Sequence, residues 1–247
     1  VTHQLFLGDA DAVARAAVGS TLVLGGDEGR HAATVVRLRV GERCYVADGR
    51  GRRVLLEAAH VDRAEVAGTV VEVSDEPEPA PRFVLVQALA KGDRDEQAIE
   101  AATELGVDEV VPWQAERSVV VWRGDRAAKS LAKWVAVVTR ATKQSRRARL
   151  PVTAEHVGLG ALATRVRDSA LALVLHEDAT EPLATVDLPT EGDVLVVVGP
   201  EGGISARELD ALVDAGARPV RLGSTILRSS SAGPAALAVL LARSRWR

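Results

Sequence analysis

Residues 74–81, Ser-Asp-Glu-Pro-Glu-Pro-Ala-Pro, divide this chain more sharply than any other feature. The prolines withhold backbone donors and the acids offer no apolar face to bury, so residues 75–81 read as a linker. The rhythm differs on the two sides. Ahead of it, short apolar runs at residues 22–24, 43–46, 53–56 and 69–73 are separated by glycine-containing turns, and Asp48-Gly49 is a turn dipeptide. This predicts a small, mostly β domain over residues 1–74, with one short helix near residues 31–36.

Beyond the linker, strands alternate with helices. Residues 82–89 form a buried strand candidate; Asp93 is placed to cap the next helix, with Glu96 as its reciprocal partner. Ala98, Ile99, Ala102 and Leu105 make that helix's apolar stripe, and Gly106 ends it. A short strand at residues 109–111 stops at Pro112. Leu131, Trp134, Val135 and Val138 then fall at i, i+3, i+4 and i+7, the spacing of a helix packed on a sheet. Three more strands are expected at residues 171–176, 193–198 and 219–222, the first two almost continuously apolar, as parallel strands covered on both faces are. Ser205 and Glu208 form a capping box, with Ile204 stapling onto Leu209, and a last helix begins with Pro234 and runs to residue 243. Residues 82–247 therefore read as an α/β domain with a mainly parallel sheet.

Several function classes are excluded by what the chain lacks. No run of about eighteen uncharged apolar residues exists, so no membrane span is expected. The start of the chain has neither the basic segment nor the apolar core of a signal peptide. A single cysteine, Cys44, rules out an internal disulfide and suits a reducing, cytoplasmic setting. The scattered histidines have no ligand spacing, so no metal is expected. A net charge of -3 argues against a wholesale basic nucleic-acid protein, yet the cations are segregated. They gather at residues 30–53, at 140–149 with no acid between them, and at 218–247 with no carboxylate at all. Such patches can hold a polyanion while the whole molecule stays acidic; they can equally be solvated faces.

Ligands of open parallel sheets bind beyond the carboxyl ends of the strands. Three polar or glycine-rich segments fall there: Leu175-His176-Glu177-Asp178, Val198-Gly199-Pro200-Glu201-Gly202-Gly203, and Leu222-Gly223-Ser224-Thr225-Ile226-Leu227-Arg228. The middle one lacks the Lys-Ser/Thr of a phosphate loop and the Gly-x-Gly-x-x-Gly of a dinucleotide loop. It reads either as a tight turn whose backbone meets a planar ligand such as adenine, or as a plain strand-to-helix turn. Ser229, Ser230 and Ser231 lack a nucleophile-elbow context. Arg228 can clamp a phosphate bidentately, and Lys143-Gln144-Ser145-Arg146-Arg147 carries donors for phosphates and base edges; each is otherwise a surface residue.

Together these residues resemble the RsmE family of small-subunit ribosomal RNA uridine-N3 methyltransferases, of the SPOUT or trefoil-knot superfamily. The likeness spans the chain: Lys91-Gly92-Asp93-Arg94, Thr103-Glu104-Leu105-Gly106-Val107, Pro112 with Glu116-Arg117-Ser118, Gln144-Ser145-x-Arg147, Gly199-Pro200-Glu201-Gly202-Gly203, and Leu222-Gly223 with Ile226-Leu227-Arg228. In the first domain His31, then Val35-Val36-Arg37-Leu38 and Val40-Gly41, match the family's helix into strand. The resemblance implies a PUA-like β-barrel followed by a SPOUT-type α/β trefoil-knot domain, its end threaded through a loop against the usual rule. It implies S-adenosylmethionine held by Leu175, His176, Glu177, Val198, Gly199, Pro200, Glu201, Gly202, Gly203, Leu222, Gly223, Ile226, Leu227, Ser229, Ser231 and Ala232. Arg228 would be catalytic, and His31, Arg37, Arg39, Lys91, Lys143, Gln144, Arg146 and Arg147 would hold RNA. The implied partners are 16S ribosomal RNA in the assembled small subunit and a second copy of the chain, with no DNA and no membrane. Two departures stand out: Thr225 where the family often has arginine, and Ser230 where it often has glutamate, which removes a candidate RNA contact and a candidate base. The competing readings are a SPOUT enzyme of other specificity, a non-catalytic ribosome-assembly module, and a nucleotide-binding enzyme unrelated to RNA.

Overall fold

The computed structural model describes residues 3–246. Its packing divides the chain into one unit of residues up to Glu78 plus Thr142–Leu150, and a second of Pro79–Ala141 plus the chain from Pro151 onward.

The first unit is a curled five-stranded sheet, a half-barrel in the order β1-β3-β4-β5-β2. Its strands are β1 (Leu5–Leu7), β2 (Thr21–Leu24), β3 (Arg43–Ala47), β4 (Arg52–Val61) and β5 (Val66–Asp75). The β1–β3 pair is parallel and the others antiparallel. Alternate residues turn inward, so Phe6, Leu24, Val46, Val54, Leu56, Val66 and Val70 fill one core with Val13 of the short helix α1 (Ala10–Arg15). Cys44 lies in that core, and burial pushes its thiol up to about 12. The expected helix near residue 31 is longer than its apolar pattern suggests: α2 (Gly26–Arg30) continues into a wider π turn at His31–Val36. Arg37 closes that turn in the left-handed conformation, φ 60°.

The linker begins later than expected, because Asp75 is still strand: it pairs with Arg52 across β4 and β5, and its carboxylate takes the Arg52 guanidinium at 2.9 Å. Arg149 fastens the residues that follow, donating to Glu76 O at 2.8 Å and Pro77 O at 3.3 Å and pairing with Glu78.

The second unit is a six-stranded, wholly parallel sheet in the order β11-β9-β10-β6-β7-β8. The strands are β6 (Arg82–Ala88), β7 (Glu109–Trp113), β8 (Val152–Thr153), β9 (Leu171–Leu175), β10 (Asp193–Val198) and β11 (Arg218–Val220). The period of two decides the layers. Val84, Val86, Leu195 and Val197 face α5 (Leu159–Asp168) and α6 (Ala206–Asp214), with Leu162 and Leu212 between them. The opposite face receives α3 (Arg94–Leu105) and α7 (Ser229–Ala242), which also pack on each other. Gly233 lets α7 lie close to the sheet: a Cβ there would stand 2.8 Å from Leu85 Cδ1. From edge strand β11 the chain thus returns to the middle, α7 packing on β6 and β10.

Several expectations are corrected. Helix α7 starts at Ser229, five residues before Pro234, because the serines and Ala232-Gly233 are small enough to enter the sheet surface as a helix. Strand β7 runs through Pro112 to Trp113. In a strand a residue's N–H and C=O point the same way, and Pro112 O faces Val157 N (2.9 Å), a side where β8 has already ended, so no ladder bond is lost. On α4 (Asp125–Gln144) the buried stripe is Trp134, Val137, Val138 and Ala141, whereas Val135 is exposed, one position off the face expected. Asp93 does not cap α3; it sits at φ 60° with its carboxylate turned to Lys133. The box of Ser205 and Glu208 forms as expected, with both bonds present.

Candidate functional site

The carboxyl ends of β6, β7, β9, β10 and β11 share one edge of the parallel sheet, so the loops leaving them are neighbours by construction. Leu175 ends β9, and His176 follows, its N–H held by Val220 O at 3.0 Å on the adjoining strand. His176 Nδ1 accepts from Asp178 N at 3.2 Å, which leaves the proton of a neutral ring on Nε2. Glu177 is exposed.

Val198 ends β10, and the glycine-rich loop opens with half-buried Gly199 and buried Pro200. The glycines answer first to the protein's own packing. A Cβ on Gly199 would stand 2.7 Å from Ile204 Cγ1, one on Gly202 would stand 3.0 Å from Arg117 Cβ, and Gly203 needs φ +74°. Glu201, Gly202 and Gly203 are exposed.

The third loop is of a different kind. Between Val220 and α7 the chain makes bends, and no backbone N–H of residues 222–228 finds a partner among the described residues. Ile226 is 80% exposed and Leu227 40%, unusual for large apolar side chains. Arg228 sits at the N-cap of α7, exposed, with no ion pair among the described residues. Ser229 Oγ is buried with no partner among the described residues; Ser231 is exposed and Ala232 half-buried.

Two more loops join this edge; of their residues, sequence reasoning assigned only Lys91 a role, as an RNA contact. Arg94 donates to Glu201 Oε1 at 2.9 Å, and Lys91 N reaches the same oxygen at 3.4 Å, tying the loop after β6 to the loop after β10. Arg117, on the loop after β7, donates to Gly202 O at 3.0 Å. Glu116 binds Ser205 Oγ and Arg207, whose bonds hold its carboxyl below the usual range, the serine bond contributing most. Glu208 is 1% exposed and completes the brace, taking Ser205 N at 3.0 Å and Glu116 N at 2.8 Å. A capping box is visible in sequence; that its carboxylate also accepts from the neighbouring loop is not, since the two lie far apart in the chain.

The residues expected to hold RNA are dispersed. His31 packs edge-on against Phe6 at 5.9 Å, while Arg37 and Arg39 are exposed without ion pairs among the described residues. Lys143, Gln144, Arg146 and Arg147 belong to the first unit. Lys143 is committed to Glu28 at 2.6 Å, Arg146 is left-handed at φ 59° with its carbonyl accepting from Arg53, and Gln144 is exposed. Lys91 has an exposed side chain on the loop after β6. No group of residues that could hold a metal ion is present among the described residues, and no described helix is long and apolar enough to cross a membrane.

A model of the RNA methyltransferase domain matches residues 76–241, and one of the RNA methyltransferase PUA domain matches residues 24–69. The chain is 46% identical to ribosomal RNA small subunit methyltransferase E of Mycobacterium bovis over 92% of its own length and 89% of that protein. The chain belongs to this RNA methyltransferase family. The Bacillus subtilis member of the same name is 28% identical, with 89% of each chain covered. The crystal structure of the Neisseria gonorrhoeae ribosomal RNA small subunit methyltransferase E, bound to S-adenosyl methionine, superposes with a TM-score of 0.85 at 25% identity, covering 98% of each chain.

Proposed function

We propose that this family member transfers a methyl group from S-adenosylmethionine to N3 of one uridine in 16S ribosomal RNA, working as a cytoplasmic homodimer on the assembled small subunit. The observation that carries the cofactor reading is the run of unpaired backbone N–H groups through residues 222–228, at the sheet edge where parallel sheets bind ligands. Next to it stands Ser229 Oγ, buried and unpartnered among the described residues. Free amide edges and a lone buried hydroxyl suit a ligand rich in ring nitrogens and hydroxyls. Leu175, His176, Glu177, Val198, Gly199, Pro200, Glu201, Gly202, Gly203, Leu222, Gly223, Ile226, Leu227, Ser229, Ser231 and Ala232 would hold it. Exposed Ile226 and Leu227 support a second copy covering this loop.

When bound, the cofactor supplies an electrophilic methyl group on a sulfonium. As the uracil nitrogen takes the methyl its N3 proton has to leave, and with no side chain assigned as base it passes to solvent water; the protein's part is alignment of that nitrogen with the methyl. The Arg228 guanidinium, exposed and without a partner among the described residues, is free to orient the base and stabilise negative charge on a uracil carbonyl. Glu201, engaged by Arg94, holds its loop rather than moving a proton. RNA would be gripped by His31, Arg37, Arg39, Lys91, Lys143, Gln144, Arg146 and Arg147, with Lys143 the weakest of these since Glu28 occupies it.

Methylation of small subunits and of deproteinised 16S ribosomal RNA, followed by mass-spectrometric mapping of the methylated atom, tests the reading. Arg228→Ala should lower kcat by about 10²-fold, the scale of one missing charge-stabilising donor. Binding of S-adenosylhomocysteine should persist. Normal turnover in the variant would remove Arg228 from the mechanism, and a methyl group on a ribose oxygen or another base atom would overturn the uridine-N3 assignment.

A further inference from the structure

The loop after β7 and the first turns of α4 carry a cation array that the charge clusters of the sequence do not reveal. Residues 117–133 hold Arg117, Arg123, Arg126, Lys129 and Lys133 against the single acid Asp125. Two of these cations are used internally, and their bonds fix where the array lies. Arg117 is bound to Gly202 O on the glycine-rich loop, while Lys133 pairs with Asp93 at 3.3 Å and Glu96 at 2.6 Å beside the loop after β6. The remaining three, Arg123, Arg126 and Lys129, are exposed and have no partner among the described residues. Arg126, Lys129 and Lys133 follow one another at three- and four-residue steps, so they form one stripe on α4, with Arg123 a turn ahead of it.

Two features set this array apart from an ordinary solvated face. Cations in the first turns of a helix oppose its dipole, and only Asp125 there has the favourable sign. The local electrostatics therefore disfavour this arrangement. The backbone that presents it is also pinned: the Gln114 side chain donates to Val120 O at 3.1 Å and accepts from Trp122 N at 3.2 Å. Buried Trp122 packs edge-on against Trp134 at 5.6 Å. Three unpaired cations are thus held on a fixed frame beside the loops that build the candidate cofactor site.

We propose that Arg123, Arg126 and Lys129, together with Lys91, form a phosphate-binding track that carries the substrate RNA backbone past the methyl-transfer site. The track rests on the RNA-methyltransferase reading of the second unit and adds a docking surface to it. Its chemistry is backbone neutralisation and not base readout, so it positions the strand without selecting its sequence.

The test is binding of unmodified small subunits, and of 16S ribosomal RNA extracted from them, to the full chain across a salt series. The variant is Arg123→Gln/Arg126→Gln/Lys129→Gln. Removing one phosphate-binding cation lowers the slope of log affinity against log salt by about 0.7–0.9, so the triple variant should drop by about 2–3 in slope and at least about ten-fold in affinity at 0.1 M salt. Arg167→Gln, at the end of α5 that leads into β9 on the opposite edge of the sheet, should change neither. S-adenosylhomocysteine binding should stay at the parent level, which separates this surface from the cofactor site. Unchanged affinity and slope in the triple variant overturn the track. Should the triple variant also fail to bind S-adenosylhomocysteine, the three single variants decide: a slope reduced by about 0.7–0.9 in each supports the proposal, and parent slopes in all three overturn it. The atom methylated is read separately by mass spectrometry, so a failure of the uridine-N3 assignment leaves this result standing.

Discussion

The basic stretches of the first unit and the carboxyl edge of the parallel sheet look alike as strings of arginines and lysines, and they differ in what those side chains touch. In the first unit Arg43 pairs with Glu57 at 2.7 Å, and Arg52 holds Asp75 together with the carbonyls of Val13 and Ala16. There Arg53 also stacks over Tyr45 at 4.5 Å, Lys143 holds Glu28, and Arg149 clasps residues 76–78. Most of that charge is committed to the fold, which leaves Arg37, Arg39 and Arg146 as the exposed cations of this unit, among those expected to meet RNA, whose side chains have no ion pair among the described residues. At the sheet edge Arg123, Arg126, Lys129 and Arg228 have no partner among the described residues. Charge density along a sequence therefore marks where cations are, and only their pairing tells which remain available to a polyanion.

The sharpest way to break this comparison is to remove a paired arginine and look for a loss of stability. Arg149→Ala deletes two hydrogen bonds to carbonyls and an ion pair from a side chain that is only 22% exposed. It should destabilise the first unit by about 2 kcal/mol, the sum of net contributions of about 0.5–1.5 kcal/mol per bond. S-adenosylhomocysteine affinity should be unchanged. Urea unfolding followed by the fluorescence of Tyr45 and by circular dichroism would measure it. A parent-like midpoint with a large drop in RNA affinity would reverse the roles assigned to the two regions.

A smaller effect is expected at Lys143, where the competing roles of ion pair and RNA contact can be separated. Its ammonium and the Glu28 carboxylate are 20% and 23% exposed, and the carboxylate also accepts from Leu7 N at 3.4 Å. A double-mutant cycle of Lys143→Met and Glu28→Gln should return a coupling of about 1 kcal/mol in stability. RNA affinity should change little in the double variant. Zero coupling together with a reduced salt slope for Lys143→Met would raise this lysine from the weakest of the RNA contacts to a principal one.

Much of this arrangement can be read from residue order, and the reasons for the remainder are physical. Continuous apolar runs reveal β6, β9 and β10 because both faces of a parallel strand are buried, and the Ser205–Glu208 box announces α6 because its signals are local. The residue pattern places the start of α7 five residues too late, since small residues followed by a proline look like a turn until a sheet surface is there to receive Gly233. Asp93 has the right spacing for a cap, but a left-handed backbone and a lysine from α4 claim it instead. The glycines of the middle loop are legible as close approaches, although the atoms approached belong to Ile204 and Arg117. Least visible are the cross-loop bonds of Arg94, Arg117, Glu116 and Glu208. Each joins segments brought together only by the strand order, which no local pattern encodes.

The smallest expected effect concerns a carboxylate inside the braced edge itself. Asp95 lies in the first turn of α3, immediately after the Arg94 that holds Glu201, and is 6% exposed. A negative charge at a helix start is favoured by the dipole, and Glu96 N donates to it at 3.0 Å. Burial nevertheless outweighs these bonds and raises its carboxyl above the ordinary aspartate value, with the nearby Glu96 charge adding to the rise. The folded state therefore holds this proton more tightly than the unfolded chain. Its contribution is fully present below the unfolded value near ~3.9 and is lost as pH rises through the raised folded value. Asp95→Asn keeps an acceptor for Glu96 N and removes the buried charge. The variant should be more stable than the parent at pH 7, and the advantage should shrink steadily as pH is lowered toward 4. Denaturation midpoints of parent and variant between pH 4 and pH 7 would measure it. A constant difference across that range would mean that the bonds to the ionised form, and not desolvation, dominate at this edge of the sheet.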